Sequence, residues 1–307
     1  MRATGASSSK RSSTLIPMVG LALVACGVAE PAGPLFDPPR SDLPAEIILA
    51  AGNIASCGST NDEATATLLD SLSGTIFALG DNAFPDGSAQ AYANCYAPSW
   101  GRHLPRTRAV LGNREYLTGS PSAAFDYFGD RVGPRNLGYY SVDLGNWHII
   151  VLNVSDSVPF VAGSAQGKWL ERDLAANRKF CTLAMWHKPR FFSSNIAGWT
   201  SNVSMIGLWK QLYAGGVDVV LNGQQHQYER LRPMTPSGAT SASGIRQFSV
   251  GTGGESAEMP FAIAAGSEAL SDAFGVLKLT LDGGTYSWEF VPTVPGKFTD
   301  TGSGTCH

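Results

Sequence analysis

Residues 75–84 read Thr-Ile-Phe-Ala-Leu-Gly-Asp-Asn-Ala-Phe, and this stretch decides the fold. Ile76 to Leu79 are apolar without a break, as in a strand buried on both faces. Gly80 then permits a sharp turn, and Asp81 is the first charged group to follow. An α/β protein carries its chemistry on the loops just past the carboxyl ends of its strands, which is where Asp81 falls. The same grammar recurs four times: Asn53 closes AAGN (50–53), Asn113 closes VLGN (110–113) ahead of Arg114 and Glu115, His187 closes AMWH (184–187), and Gln224 and His226 follow LNG (221–223). Five polar ends of this kind can converge on one crevice.

Outward from these points, strand-like runs at 46–51, 75–80, 107–112, 179–186 and 217–223 alternate with helical patterns at 63–72, 167–177 and 205–216, where apolar residues fall three and four apart. That is a βαβ arrangement. Residues 139–153 predict a hairpin about Gly145-Asn146, and 245–254, 274–281 and 285–292 add further β-rich material. There are no internal repeats.

In order and spacing, AAGN53, GD81NAF84, GN113R114E, the strand ending in His187 and GQ224QH226 resemble the motifs GDxG, GDxxY, GNH[DE], strand-end His and GHxH of the calcineurin-like metallophosphoesterase superfamily, most closely its purple-acid-phosphatase-like branch. Each tripeptide alone is weak, whereas five in order behind strand-like runs are specific. The resemblance covers the chain from about residue 46 onward. It implies an α/β fold, a four-layer α/β/β/α sandwich with two mixed sheets. Carried over residue by residue, it assigns Asn53, Asp81, Phe84 and His226 to a first metal and Asp81, Asn113, His187 and Gln224 to a second. Arg114 falls where the family has a catalytic His.

The departures matter as much as the match. Asn53 stands where the family has Asp, Phe84 where it has Tyr, Gln224 where it has His and Arg114 where it has His. Two-metal hydrolysis needs two cations about 3.5–4 Å apart that activate water and neutralise phosphoryl oxygens. An amide oxygen coordinates without charge, and a phenyl ring does not coordinate. The first site should therefore be empty, while Asp81, Asn113 and His187 leave room for one weakly held divalent ion such as zinc, manganese or iron, or for none. Arg114 cannot act as an acid, since guanidinium stays protonated, but it grips a phosphate or carboxylate with parallel hydrogen bonds.

Bland readings stand beside these. Asn53, Asn113 and Asp81 suit turns after strands, and a lone histidine is more often a hydrogen-bonded core residue than a ligand. The ordered set weighs toward site-lining positions for Asp81, Asn113, His187 and His226. His103 and His148 match no ligand position and keep the bland reading.

The 307 residues carry a net charge of −3 with 15% charged residues, so there is no basic stripe of the kind nucleic-acid binding requires. At the amino terminus Arg2, Lys10 and Arg11 precede an apolar stretch and then Leu23-Val24-Ala25-Cys26, too short for a membrane span and typical of a signal peptide. The last four residues resemble a bacterial lipobox, which would leave Cys26 lipidated; an ordinary signal peptide cut near Ala25 is the alternative. The expected organisation is a signal segment at 1–26, a Pro-rich tether at 27–45 and one phosphoesterase-type domain at 46–307, held in the cell envelope by lipid alone. Cys57, Cys95, Cys181 and Cys306 then form an even set with three possible pairings. We favour Cys57 with Cys95 and Cys181 with Cys306.

Two functions follow. One is an exported (pseudo)phosphatase that binds a small anionic, phosphate-type ligand with little or no hydrolysis. The other is an active phosphomonoesterase or phosphodiesterase working with a single metal at Asp81, Asn113 and His187.

Overall fold

The computed structural model describes residues 1, 2, 4–6 and 36–307, and residues 36–307 form one compact unit. Cys26 and most of the expected signal segment lie outside the described residues. Within the expected tether, 36–45 run along the domain: Asp37 N donates to Arg178 O (2.7 Å), and Asn146 brackets Arg40 by accepting from its N (2.8 Å) and donating to its O (3.0 Å).

Two mixed sheets carry the architecture. The first contains β1 (Glu46–Ala51), β2 (Thr75–Ala78), β3 (Thr107–Ala109), β11 (Gly275–Leu281), β12 (Thr285–Pro292) and β13 (Thr301–Thr305), in the order β13-β12-β11-β1-β2-β3. The second contains β4 (Tyr140–Leu144), β5 (Trp147–Val151), β6 (Cys181–Met185), β7 (Val219–Asn222), β8 (Tyr228–Leu231), β9 (Arg246–Val250) and β10 (Ser267–Ser271), in the order β10-β8-β9-β7-β6-β5-β4. β1, β2 and β3 are parallel, as are β5, β6, β7 and β9, so the functional loops leave one end of each sheet. This is the two-sheet metallophosphoesterase-type sandwich that the motifs imply.

Side-chain alternation builds the layers. In β5, β6 and β7 the residues Trp147, Ile149, Val151, Leu183, Met185, Val219 and Leu221 point into the core shared with the first sheet. Their neighbours Ile150, Leu152, Ala184, Trp186 and Val220 point outward. There they meet Leu170 of α4 (Ala165–Ala176) and Leu208, Trp209 and Leu212 of α5 (Ile206–Ala214). A strand period of two against helices of period 3.6 makes both faces apolar. Trp209 is fully buried, and truncating such a side chain to Ala costs about 3–5 kcal/mol. Helix α4 starts where the Ser164 side chain caps Gly167 N, and α1 (Asn61–Ser71) carries Asp62 and Glu63 in its first turn, where the helix dipole favours acids.

The hairpin turns at Gly145-Asn146 as expected, with Gly145 at φ 54°. β13 was not legible in advance. Its Thr-Gly-Ser-Gly-Thr has no apolar residue, yet Gly302 pairs with Trp288 and Gly304 with Tyr286, and a Cβ on either glycine would collide with the facing ring. The strand exists because it covers two aromatics, which pattern alone does not reveal. Cys57–Cys95 and Cys181–Cys306 are both bonded, and the latter ties the residue after β13 to the first residue of β6.

Candidate functional site

The carboxyl ends of β1, β2, β3, β6 and β7 are laced together by backbone. Leu79 N donates to Ala51 O (2.9 Å), Val110 N to Ala78 O (2.8 Å), Asn53 N to Gly80 O (3.1 Å), and Gly223 and Gln224 N to His187 O (3.0 and 3.1 Å). The five polar positions singled out in the sequence therefore meet at one place. Asn53 (φ 52°) and Asp81 (φ 50°) are in the left-handed region, which Asn and Asp tolerate better than most residues. A Cβ on Gly112 would collide with the Asp81 amide and carboxylate, so the GD and GN turns fit only as glycines.

Glu115 holds this arrangement, and the sequence reading passed it over. It is fully buried and accepts from Gly112 N (2.7 Å), Asn82 N (2.8 Å), Asp81 N (3.1 Å) and the Tyr92 hydroxyl (3.0 Å). Burial, and then the neighbouring Asp81 charge, raise its pKa above the usual carboxylate value. The signal available was its place at the acidic position of the GNH[DE] pattern, to which the sequence reading gave no role.

Asp81, 1% exposed, is the centre of the site. Its Oδ1 accepts from Arg114 N (2.7 Å), and its Oδ2 lies 3.3 Å from His187 Nε2 and 3.8 Å from Arg114 Nε. Burial works against the Asp81 carboxylate, but the His187 charge and hydrogen bond, with the Arg114 amide and guanidinium, outweigh it and keep the pKa below the usual value. His187 is also fully buried. Burial opposes its protonation, yet Asp81, the Leu79 carbonyl and Glu115 together raise its pKa. His187 Nδ1 is 2.8 Å from Leu79 O, an atom that can only accept, so Nδ1 carries hydrogen.

That tautomer defines what the site can hold. With Nδ1 protonated, a neutral His187 turns the Nε2 lone pair toward Asp81 Oδ2, two acceptors facing each other. Either a proton or a cation must lie between them. Asn113 Oδ1, in the turn whose Arg114 N donates to Asp81 Oδ1, is buried with no hydrogen-bond partner. Asp81 Oδ2, His187 Nε2 and Asn113 Oδ1 thus fit one divalent ion as a carboxylate, an imidazole and an amide oxygen.

The other half of the crevice does not fit a second. Asn53 Nδ2 donates to Gln224 O (3.2 Å), and its Oδ1 is buried without a partner and without charge. The Phe84 ring offers only its π face, over which the Arg114 guanidinium lies 4.8 Å from the centroid. His226 Nδ1 is engaged by Ser256 Oγ (2.7 Å) and lies 3.2 Å from Glu255. Asn53, Phe84 and His226 bring no negative charge to offset a divalent cation. Among the described residues, the one trio of His, Cys, Asp or Glu with donor atoms within 4.8 Å of one another is Cys181, Asp218 and Cys306, remote from these loops and closed by a disulfide.

Arg114 borders a cavity of about 480 Å³ lined also by Phe84, Asp86, Glu255 and the Cys57–Cys95 disulfide. Its Nη1 donates to Pro85 O (3.2 Å), while its Nε is buried without a hydrogen bond. His103 and His148 lie elsewhere: His103 Nε2 meets Ala66 O at 3.0 Å, and His148 bridges Asp143 (2.8 Å) and Asp173 (2.9 Å).

No protein-family model matches the chain. It is 28% identical to purple acid phosphatase 15 of Arabidopsis thaliana over 148 residues, 43% of this chain and 27% of that protein. The chain thus matches well under half the length of that relative. Among solved structures, a purple acid phosphatase from yellow lupin (Lupinus luteus) seeds superposes with a TM-score of 0.68 at 18% identity, covering 87% of this chain and 54% of that one. GAP50, the anchor in the inner membrane complex of Plasmodium, superposes with a TM-score of 0.66 at 13% identity, covering 86% of this chain and 90% of that one. In its two-sheet fold the chain is similar to solved metallophosphoesterase-type structures, and over part of its length its sequence is similar to plant purple acid phosphatases.

Proposed function

We propose that this chain is an exported, lipid-anchored member of the purple-acid-phosphatase-like branch which binds a small phosphate-type anion and has lost the dinuclear chemistry of hydrolysis. One observation carries the reading. Asp81, the carboxylate that the family pattern would share between two metals, has His187 Nε2 at 3.3 Å on its Oδ2 and the Arg114 guanidinium at 3.8 Å, so the chain's own groups supply positive charge there. Arg114, with an unpartnered Nε beside the 480 Å³ cavity, is the group that grips the anion. Phe84 supports its guanidinium through the ring face. The substitutions at Asn53 and Phe84 nearly keep side-chain shape while removing charge or a coordinating oxygen, which is compatible with a crevice that persists without its ions. The similarity to GAP50, named as an anchor, is compatible with a binding role for such a fold. Export follows from the Arg2, Lys10 and Arg11 region, the apolar stretch and Cys26, and suits a chain with two disulfides.

A second reading rests on the His187 tautomer and the unpartnered Asn113 Oδ1: a single-metal phosphoesterase with the ion on Asp81, His187 and Asn113. A bound ion would supply Lewis-acid polarisation of a phosphoryl oxygen. The chain's part would be to present Asp81 and His187 in fixed orientation and to hold the phosphate on Arg114.

Calorimetric titration with inorganic phosphate in the presence of chelator, beside turnover of an aryl phosphate with and without added zinc, manganese or iron, tests both. The expected outcome is chelator-insensitive phosphate binding that Arg114→Ala weakens by about tenfold or more, with turnover near background. An ordinary enzyme rate abolished by chelator would establish the single-metal reading instead.

A further inference from the structure

At the amino-terminal ends of β6 and β7, the pole opposite the candidate site, a second group of metal-type side chains is assembled. Cys181 opens β6, Asp218 directly precedes β7, and Cys306 and His307 follow β13. Cys181 Sγ, Cys306 Sγ and an Asp218 carboxylate oxygen all lie within 4.8 Å of one another and all three residues are buried. His307 Nδ1 is 3.0 Å from Asp218 Oδ1, a hydrogen-bonded pair, so its ring reaches the group through Asp218 and would turn toward the sulfurs to join it. We propose that these four residues form a zinc site when the Cys181–Cys306 disulfide is reduced.

The donor set is the reason for zinc. Two thiolates, one imidazole and one carboxylate oxygen make a four-coordinate set of the kind that structural zinc takes, and the soft sulfurs disfavour magnesium or calcium. At the other pole, Asp81, His187 and Asn113 bring no sulfur, and the Cys57–Cys95 disulfide lines the adjoining cavity.

Backbone that does not depend on the disulfide holds the donors in place. Cys181 sits in an interior strand paired to Trp147, Asp218 N donates to Thr182 O (3.0 Å), Cys306 N donates to Gly284 O (3.0 Å), and His307 N donates to Asp218 Oδ1 (2.8 Å). Thr182 N donates to Asp218 Oδ2 (2.8 Å), which fixes the carboxylate's orientation, while Oδ1 accepts from His307 N. The Cα atoms of the two cysteines are 5.5 Å apart, so opening the bond requires the sulfurs to separate by rotamer adjustment. Once reduced, a buried thiolate here faces a buried carboxylate, and a cation relieves that repulsion.

The chemistry balances. A dithiol reductant passes two electrons and two protons to the sulfurs and is itself oxidised to a disulfide, giving two thiols on the chain. Zinc then displaces both thiol protons to solvent and binds two thiolates.

Cobalt(II) is the probe, titrated anaerobically into the full chain before and after reduction with a phosphine. The reduced protein should gain a sulfur-to-cobalt charge-transfer band in the near ultraviolet and tetrahedral visible bands at one equivalent, both erased by zinc, and the oxidised protein should gain neither. His307→Ala and Asp218→Asn should each weaken cobalt binding by about tenfold or more; His307 is partly exposed, so its variant folds even where Asp218→Asn does not. The Asp81 and His187 pair cannot produce the sulfur band, and a Cys57→Ser, Cys95→Ser variant removes the other thiols that reduction exposes, so the band must persist in it. The proposal is overturned if reduced protein with intact far-ultraviolet dichroism shows no such band, if His307→Ala leaves the affinity unchanged, or if reduction unfolds the domain and cobalt does not restore it.

Discussion

The two halves of the crevice start from the same backbone plan and end with different chemistry. On the side of Asp81, His187 and Asn113, strong donors converge, and Glu115 locks the turn beneath them with four hydrogen bonds. On the side of Asn53, Phe84 and His226, the turn geometry survives, with Asn53 still at φ 52°, but none of the three brings an anionic group, and Asn53 Nδ2 and His226 Nδ1 are engaged with protein. Backbone shape and site charge can thus be separated. A fold stores its strand-end turns in glycines and in residues that tolerate positive φ, while the cation-binding capacity resides in a few side chains that can change without disturbing those turns.

The comparison is broken most forcefully by restoring the missing charge. Asn53→Asp, Phe84→Tyr, Arg114→His and Gln224→His together should create a second metal position and raise aryl-phosphate turnover by about three orders of magnitude, since each factor of ten is 1.36 kcal/mol of barrier and a metal supplies several kcal/mol. Each change alone should do little, because residues that act as a unit are not additive. Elemental analysis and initial rates check it. A fourfold variant that binds no more metal than the unmodified chain would show that the neutral half has also lost its shape.

The second prediction addresses the intact half. Glu115→Ala leaves three buried backbone N–H groups and a tyrosine hydroxyl without their acceptor, at about 3 kcal/mol or more. Denaturant unfolding should show that loss, and phosphate binding should fall with it because Arg114 N and Asp81 lose their turn. A loss under about 1 kcal/mol would mean that water replaces the carboxylate.

Much of this division was legible in the sequence, and the illegible part has a physical cause. Strand-end positions are visible because an apolar run followed by glycine and a polar residue is a local signal, and all five converge as that pattern implied. The Cys57–Cys95 and Cys181–Cys306 pairing also matches. Glu115 was passed over because its role depends on the N–H groups of the Asp81-Asn82 turn and on the Tyr92 hydroxyl, both distant in sequence, and β13 because its two glycines serve rings on a neighbouring strand. Neither relation is local. The bridging by Asp81 of His187 and Arg114 was likewise invisible, since the family pattern assigns Asp81 and His187 to metal and the Arg114 position to catalysis.

A carboxylate-paired histidine outside the crevice gives a reference for the electrostatics inside it. Burial opposes protonation of His148, but Asp173 and Asp143 more than compensate and raise its pKa above the usual histidine value near 6.5. A raised folded value means the stabilisation is fully present below about pH 6.5 and is lost as pH climbs through the folded value. Unfolding midpoints against pH should show this decline, and His148→Gln should flatten it by under about 2 kcal/mol while leaving phosphate binding unchanged. A flattened profile accompanied by lost phosphate binding would mean that the two regions are coupled through β5 and β6.

The smallest expected effect lies on the boundary between the halves, where Phe84 faces Arg114. The guanidinium lies 4.8 Å from the ring centroid, is partly exposed and donates to Pro85 O, so the ring's pull on the cation is one of several restraints. A contact of this kind contributes about 0.5–1 kcal/mol at an exposed site. Phe84→Leu keeps an apolar side chain against His226 and removes the quadrupole, so phosphate affinity should fall by about two- to fivefold with little change in unfolding midpoint. Phe84→Tyr keeps the ring face and should bind phosphate as the unmodified chain does, while adding the hydroxyl that the neutral half lacks. If Phe84→Tyr alone recruits a tightly held ion, the neutral half needs only one donor to become a metal site, and the distinction between the halves rests on Phe84 rather than on the whole set of lost charges.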